Sequence, residues 1–154
     1  IHIGVVPNVR RLVGLDYKTL YDETSLLYCS HDHPLFTKAK ITLEDVATCD
    51  SVLSNYVQST EVSELEQRLK GGAQATDREG VAFLVLTGSF IGFLPTHYAK
   101  QWVDQGRLKA LMPEAFCYLT SFAAITRHGR RENRILQTFM GFLQTKEERE
   151  ALDR

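Results

Sequence analysis

The sequence predicts an α/β fold built around a largely parallel sheet, and three observations support this. Strand-like and helix-like segments alternate from about residue 32 to 116, which is the pattern of βαβ units. Residues 77–87 form an almost wholly apolar helix, and such a helix must be buried on most sides. The apolar strand at 91–94 ends at Pro95, which is expected for a strand inside a sheet whose carboxyl end faces outward. That end is where α/β sheets place ligands.

The predicted strands are short runs of continuous or alternating apolar residues between turn-forming residues. They cover residues 1–6, 17–21, 25–29, 51–56, 73–76, 91–94, 108–111 and 118–125. Pro7 and Asn8 end the first strand, residues 10–14 form a loop, and His33-Pro34-Leu35 forms a turn.

Five helices are predicted from apolar residues at helical spacing and from capping residues. They cover residues 43–47, 61–70, 77–87, 96–105 and 131–154. Thr42 caps the first helix, Ser59 or Thr60 caps the second, and Gly71-Gly72 and Gly106 end the second and fourth. In the last helix, a charged tail follows Thr145. The apolar stripe that we expect to be buried comprises Ile135, Leu136, Phe139, Phe142 and Leu143.

Composition places the chain among ordinary globular proteins, with 154 residues, 44% hydrophobic and 24% charged residues. The net charge of −1 gives no basic surplus, so this chain does not read as a DNA-binding module by itself. Three widely spaced cysteines without a CxxC pair indicate free thiols and a reducing cytoplasm. We find no membrane span, no leader and no cofactor motif. Because Ile1 already lies in a predicted strand, we expect the chain to be a fragment of a longer protein.

The order of these segments resembles the effector-binding domain of LysR-type transcriptional regulators. The resemblance rests on the Ile3-Gly4-Val5 strand, on His33-Pro34-Leu35, and on Ile41-Thr42-Leu43-Glu44-Asp45-Val46. It rests above all on the segment from Asp77 to Pro95, with its acidic start, helix, Gly turn, strand and Leu-Pro end. It covers nearly the whole chain to about Thr145.

The resemblance implies a periplasmic-binding-protein-like fold of two Rossmann-type lobes, with the second lobe complete and the first partial. Residues 1–30 and 119–145 are then the remainder of lobe I, residues 31–118 are lobe II, and residues 146–154 are the charged tail. It also implies a cytoplasmic homo-oligomer that senses a small metabolite, is not an enzyme and uses no cofactor. DNA would be bound only through a winged helix-turn-helix that this chain does not contain. The front of lobe I is also absent, so we expect an uncovered sheet edge at residues 1–6.

Candidate effector contacts are expected at the strand ends that line the cleft between the two lobes. Free backbone N–H groups at helix starts attract carboxylates there, and polar side chains fix the orientation of the ligand. These residues are Val5, Val6, Pro7, Asn8, Ser54, Asn55, Tyr56, Gln58, Thr76, Asp77, Pro95, Thr96 and His97. The mixture suits a small acid or an aromatic acid. The plainer interpretation is that Ser54, Ser59, Thr76 and Asp77 are only turn and cap residues.

Other patterns carry weaker interpretations. His31 and His33 could share a metal ion, although a solvated turn before Pro34 is the favoured interpretation. Cys29, Cys49 or Cys117 could pair with His97 or His128, but no nucleophile motif surrounds them, and a buried thiol is the commoner case. The chain has one basic cluster, which could bind an anion or the DNA-proximal surface of a partner, although a solvated loop and the first turn of the last helix are the favoured interpretation. It comprises Arg127, His128, Gly129, Arg130, Arg131 and Arg134.

Two other function classes stay open at this point. A solute-binding protein of a transport system could share the two-lobe fold, but it would need a leader and would tolerate few free thiols. An enzyme of the doubly wound class would need a phosphate-binding glycine loop, and Gly71-Gly72 lacks the G-x-G-x-x-G frame.

Overall fold

The computed structural model describes residues 3–8, 10–55, 59–129 and 134–143, and helices and strands alternate through most of them. The strands are β1 (Ile3–Pro7), β2 (Leu15–Ser30), β3 (Asp50–Ser54), β4 (Lys70–Ala75), β5 (Ile91–Pro95), β6 (Leu108–Ala110) and β7 (Cys117–Arg127). The helices are α1 (Leu43–Thr48), α2 (Thr60–Glu66), α3 (Arg78–Leu86), α4 (Thr96–Asp104) and α5 (Arg134–Phe142). None of these helices combines the length and the hydropathy needed to cross a membrane.

Two long strands carry the chain between two compact units. Unit 1 comprises Ile1–Glu23 and Leu119–Arg154, and unit 2 comprises Thr24–Tyr118. The chain enters unit 2 within β2, which is one strand of 16 residues, although the sequence predicted two strands there. The polar residues between the two predicted strands do not interrupt the extended backbone.

Unit 2 has a sheet in which β5 lies between β2 and β3, β4 lies beyond β3, and β6 pairs with β2. β3 is parallel to both β4 and β5, whereas β2 is antiparallel to β5 and β6. The prediction of a largely parallel sheet is therefore right for β3, β4 and β5 and wrong for β2 and β6. A local alternation of strands and helices does not encode strand direction, which here is set by the tertiary pairing of β2 with β5 and β6.

Both faces of this sheet are covered by helices. One apolar cluster contains Leu27, Ile91 and Phe93 from the strands together with Val46 of α1 and Val62 of α2. The other contains the alternate strand residues, with helix residues from α3 and α4, and comprises Tyr28, Val52, Leu94, Val81, Ala82, Val85 and Ala99. Because successive strand residues point to opposite faces, α1 and α2 cover one face and α3 and α4 cover the other.

Helix α3 packs closely on this sheet at Gly92 of β5. A Cβ atom at this position would lie 2.9 Å from Cγ2 of Val85 and 3.0 Å from Cγ1 of Val81, both on α3. All five residues of β5 are buried. The prediction that α3 is buried on most sides agrees with the burial of Val81, Ala82 and Val85, although Phe83 on its outer face is 71% exposed.

Gly71 and Gly72 do not end a helix, as the sequence had suggested, but lie inside β4. α2 already ends at Glu66. Ser51 pairs with Gly71 and Val52 pairs with Ala73, so Gly72 is the additional residue of a β-bulge. A Cβ atom on Gly72 would lie 2.7 Å from Cβ of Asp50, which explains why glycine is needed there.

In unit 1, β1 runs antiparallel to β7 from the pair Ile3–Thr126 to the pair Pro7–Phe122. The β7 strand is tied to the first half of β2 by stacking of Tyr21 on Phe122, with ring centroids 5.1 Å apart. Val5 is 48% exposed, in agreement with an uncovered strand edge. Residues 1 and 2 of the predicted first strand lie outside the described residues.

The predicted buried stripe of the last helix is wrong for two of its members. Phe139 is 46% exposed and Phe142 is 73% exposed, whereas Leu136 and Leu143 are half-buried. The side chain of Ile135 and residues 131–133 and 144–154 of the predicted helix lie outside the described part of the chain.

The turn after β2 is less solvated than the sequence suggested. His33 is only 6% exposed, and its Nδ1 accepts a hydrogen bond of 3.1 Å from the backbone N–H of Leu35. Burial lowers the pKa of His33. The second nitrogen must then carry the proton in the neutral ring, which fixes the tautomer.

We predict that Gly92→Ala lowers the free energy of unfolding by about 1–3 kcal/mol, because the added methyl group overlaps α3. Urea unfolding followed by the fluorescence of Trp102, the single tryptophan, measures this. The double variant with Val85→Ala should lose less than the sum of the two single variants, since the opposing methyl groups are gone. If the losses of stability in the two single variants added strictly in the double variant, α3 would not rest on Gly92.

We predict that protonation of His33 destabilises the protein. The stabilisation by neutral His33 is complete above its unfolded pKa of 6.5 and is lost as the pH falls through its lower folded pKa. His33→Asn keeps an acceptor for Leu35, so the loss of stability between about pH 7 and 5 should become shallower. His128→Asn should change the slope in the opposite direction, because Asp16 raises the pKa of His128. Unfolding in urea across this pH range provides the test, and an unchanged slope in His33→Asn would contradict the prediction.

Candidate functional site

Three parallel strands of unit 2 end at the same edge of the sheet. Ser54 ends β3, Ala75 ends β4 and Pro95 ends β5. The β3 and β4 ends are directly paired, because Ser54 lies opposite Ala75. The candidate residues that follow these strands therefore lie along one edge, as expected for the carboxyl ends of parallel strands.

At the end of β3, two backbone N–H groups are already hydrogen-bonded. The N–H of Ser54 donates to Oε1 of Glu66 at 3.1 Å, and the N–H of Asn55 donates to the carbonyl of Ala75 at 3.0 Å. The side chains of Ser54 and Asn55 are the groups that could contact a ligand. Tyr56 and Gln58 lie outside the described residues.

After β4, Thr76 leads to Asp77, which is the N-cap of α3. The carboxylate of Asp77 accepts a hydrogen bond of 2.7 Å from the N–H of Gly80. Ser59 caps α2 in the same way through the N–H of Val62. The interpretation of Asp77 and Ser59 as cap residues is confirmed, and both helix starts are thus closed by a side chain.

The start of α4 differs from the starts of α2 and α3. Its N-cap is Pro95, which makes no side-chain capping hydrogen bond. Thr96 is half-buried and His97 is exposed in the first turn, directly after the buried strand β5. The first N–H groups of a helix have no partner within the helix, so an uncapped start presents donors and a partial positive charge.

Tyr98 of α4 lies near the charged residues at the start of α3. Its pKa is raised by burial and then by the nearby carboxylates of Glu79 and Asp77, while Arg78 acts in the opposite sense. The ring of Tyr98 also contacts Trp102 edge-on, with centroids 5.3 Å apart. The sequence analysis did not select Tyr98, although its place three residues after Pro95 puts it in the first turn.

Glu66 was not among the site residues predicted from the sequence. Its carboxylate reaches the end of β3 from the end of α2, and no motif or spacing predicts this contact. Glu66 therefore helps to place Ser54 at the edge of the sheet.

The remaining candidates belong to unit 1. Val5 and Val6 lie in β1, and Pro7 ends that strand opposite Phe122. The N–H of Asn8 donates to the carbonyl of Ser121 at 2.7 Å, which leaves its side chain for a ligand.

The alternative chemistry considered for the cysteines and histidines gains no support from the geometry. Burial raises the pKa of the Cys29 thiol to about 11, and the pKa of Cys49 is also raised by burial, so neither thiol is a ready nucleophile. Among the described residues, no three His, Cys, Asp or Glu side chains come together at a metal-binding distance. His128 of the basic cluster contacts Asp16, with Nδ1 to Oδ1 at 2.8 Å.

The chain matches the LysR substrate binding domain over residues 1–148. It belongs to this family. It is 46% identical over 142 residues to the HTH-type transcriptional activator BauR of Pseudomonas aeruginosa. This match covers 91% of the chain but 47% of BauR, so the chain spans about half the length of that relative.

Solved structures of regulatory domains share the fold of this LysR domain. The CcmR regulatory domain from Synechocystis, in complex with 2-PG, has a TM-score of 0.74 at 18% identity, over 92% of this chain and 71% of that chain. The CrgA regulatory domain of Neisseria meningitidis has the same TM-score and identity, over 96% and 76%. Full-length LysG of Corynebacterium glutamicum with bound effector Arg has a TM-score of 0.68 at 15% identity, over 93% and 50%. The predicted two-lobe, periplasmic-binding-protein-like α/β fold class is confirmed by these neighbours.

We predict that Asp77 stabilises α3 through its hydrogen-bond acceptor rather than its charge. Asp77→Ala should lower the free energy of unfolding by about 1 kcal/mol, whereas Asp77→Asn should stay near the parent protein. Ser59→Ala is the matched variant at the other side-chain cap. Chemical unfolding of the four proteins measures the difference, and equal losses in Asp77→Asn and Asp77→Ala would contradict the role.

Proposed function

We propose that this domain senses a small-molecule effector in a LysR-type transcriptional regulator and binds it at the strand ends described above. The uncapped start of α4 at the end of β5 carries the proposal. It offers backbone donors beside the polar side chains of Ser54, Asn55 and Thr76, while the starts of α2 and α3 are closed by their own caps.

The chemistry of this edge suits a carboxylate. The N–H group of Thr96 and the dipole of α4 would stabilise a negative oxygen, and the Thr96 hydroxyl would fix its orientation. Ser54, Asn55 and Thr76 would bind a second polar group of the same molecule. Tyr56 and Gln58 are retained as candidate contacts, as are Val5, Pro7 and Asn8 of unit 1.

Relatives support this choice of ligand class. The CcmR regulatory domain was solved with 2-PG, and LysG was solved with the effector Arg. Arginine carries a carboxylate, which an uncapped helix start can bind. These two ligands do not identify the effector of this chain, because the sequence identities to CcmR and LysG are only 18% and 15%.

The whole protein would be a cytoplasmic, homo-oligomeric regulator that contacts DNA through a winged helix-turn-helix outside this chain. Unit 2, corresponding to the predicted residues 31–118, would be lobe II, and unit 1 would supply lobe I. The effector would have a higher affinity for one conformation of the domain and thereby shift the population of the oligomer toward it. This family assignment favours a regulator over a solute-binding protein and over an enzyme.

We predict that removing the backbone N–H of Thr96 weakens effector binding more than removing the side-chain hydroxyl of Thr96. Thr96 is the first residue of α4, where proline is tolerated, so Thr96→Pro deletes one N–H and keeps the helix. Thr96→Val keeps the N–H and deletes the hydroxyl. A panel of small carboxylic acids is titrated while the fluorescence of Trp102 is recorded. For the acid that binds, Thr96→Pro should weaken binding roughly tenfold, and Thr96→Val less.

A matched amide of the same acid serves as the ligand control, and it should bind more weakly than the acid. Equal binding by the acid and the amide, with no effect of Thr96→Pro, would contradict the carboxylate site. The sensing role itself would be wrong if no acid in the panel changed the DNA footprint of the full-length regulator.

A further inference from the structure

The carboxylate of Glu66 lies at the same edge of the sheet as the proposed effector site. Its Oε1 accepts a hydrogen bond of 3.1 Å from the backbone N–H of Ser54, the last residue of β3. Glu66 is the last residue of α2, so a neighbouring element brings this carboxylate to the strand end. Glu66, Ser54 and the start of α4 belong to the same compact unit, unit 2.

The direction of the Ser54 N–H shows on which side of β3 this carboxylate lies. Successive backbone N–H groups of a strand point toward opposite neighbouring strands. The N–H of Asn55 donates to the carbonyl of Ala75 in β4, so the N–H of Ser54 points toward the other neighbour, β5. The carboxylate of Glu66 therefore lies on the β5 side of β3, which is the side on which α4 begins.

The carboxyl ends of β3 and β5 are close enough for one small molecule to contact both. In the described part of the chain, the last paired residues of these two parallel strands are Val52 and Gly92. A strand spacing of about 4.8 Å and a rise of about 3.3 Å per residue place Thr96 about 8 Å from Ser54. A ligand of a few atoms can therefore contact Glu66 at one end and the start of α4 at the other.

The charges along this edge change sign from β5 to β3 and β4. The start of α4, which follows β5, has no side-chain cap and carries the partial positive charge of the helix dipole. The carboxylate of Glu66 lies at the end of β3. After β4, the two acidic residues Asp77 and Glu79 outweigh the single Arg78 between them. A ligand that matches this edge carries a negative group toward α4 and a positive group toward β3.

We propose, on the basis of the effector site at the start of α4, that the effector is a short amino acid and that Glu66 selects it. The ligand carboxylate accepts a hydrogen bond from the N–H of Thr96, and the ligand ammonium group donates a charge-assisted hydrogen bond to Glu66. A carboxylate can accept several hydrogen bonds at once, so Glu66 binds the ligand while it holds Ser54. A second carboxylate on the ligand would be repelled by Glu66, which disfavours dicarboxylic acids.

The test measures binding of matched pairs of probes to the whole chain by calorimetry. The pairs are glycine with propionate, β-alanine with butyrate, and γ-aminobutyrate with pentanoate. In each pair, a methyl group replaces the ammonium group at nearly the same size. We expect saturable binding of at least one amino acid, and its matched acid should bind at least roughly tenfold more weakly. Succinate should bind no better than the matched acids.

Glu66→Gln removes the negative charge and keeps a side-chain oxygen for the N–H of Ser54. This variant should bind the amino acid roughly tenfold more weakly, and it should bind the matched acid like the parent protein. Glu64→Gln changes an exposed residue of the same helix and is the matched control. It should bind both probes like the parent protein.

Nitrogen-15 NMR spectra of the parent protein give a second readout that needs no variant. The amino acid should shift the amide resonances of both Ser54 and Thr96, whereas the matched acid should shift mainly that of Thr96. The absence of saturable binding by every amino acid would overturn the role of Glu66, as would equal affinity for an amino acid and its matched acid.

The variant Thr96→Pro separates failure of the selection by Glu66 from failure of the effector site. If an amino acid and its matched acid bind equally and Thr96→Pro weakens both, the effector site at α4 stands and only the selection by Glu66 is wrong. If Thr96→Pro changes the affinity of neither probe, the effector site and the selection that depends on it are both wrong.

Discussion

The contact of α3 with β5 at Gly92 is the constraint on which the rest of unit 2 depends. A helix can approach a strand this closely only where the strand has no side chain, and the 2.9 Å and 3.0 Å distances leave no room for even a methyl group. The contact holds α3 on one face of a completely buried strand. Because β5 ends at Pro95 and α4 follows at once, the same contact fixes where the first turn of α4 begins.

The starts of α2, α3 and α4 at this edge of the sheet differ in their side-chain capping, and this difference bears on function. Ser59 and Asp77 satisfy donors of α2 and α3 from within the chain, whereas Pro95 has no side-chain acceptor to offer α4. Proline is well suited to end the buried strand, and it leaves α4 without a side-chain cap from its N-cap residue. One residue thus serves both the packing of unit 2 and the chemistry of the proposed effector site, while Tyr98 connects this helix start to the acidic start of α3.

The sequence predicted the alternation of elements in unit 2 and the strand ends because these depend on local signals, namely apolar runs, caps and prolines. It failed where tertiary pairing overrides a local preference. Gly71-Gly72 resembles a helix end, but a bulge against Asp50 and Leu53 requires glycine within β4. The apolar composition of α3 predicted burial on most sides, but it did not reveal that Phe83 lies on the one outer face. The contacts of Glu66 and Tyr98 join residues from separate elements, and no spacing in the chain encodes them.

Amide hydrogen exchange of the ligand-free chain tests this account most directly, because it compares the rigid strand with the open helix start residue by residue. We expect the amides of Ile91, Gly92 and Phe93 to exchange only through global unfolding, whereas the amide of Thr96 should exchange far faster. Equal protection of the strand amides and of Thr96 would contradict this expectation. Slow exchange at Thr96 would mean that α4 is capped after all, and rapid exchange in β5 would mean that α3 does not hold the strand.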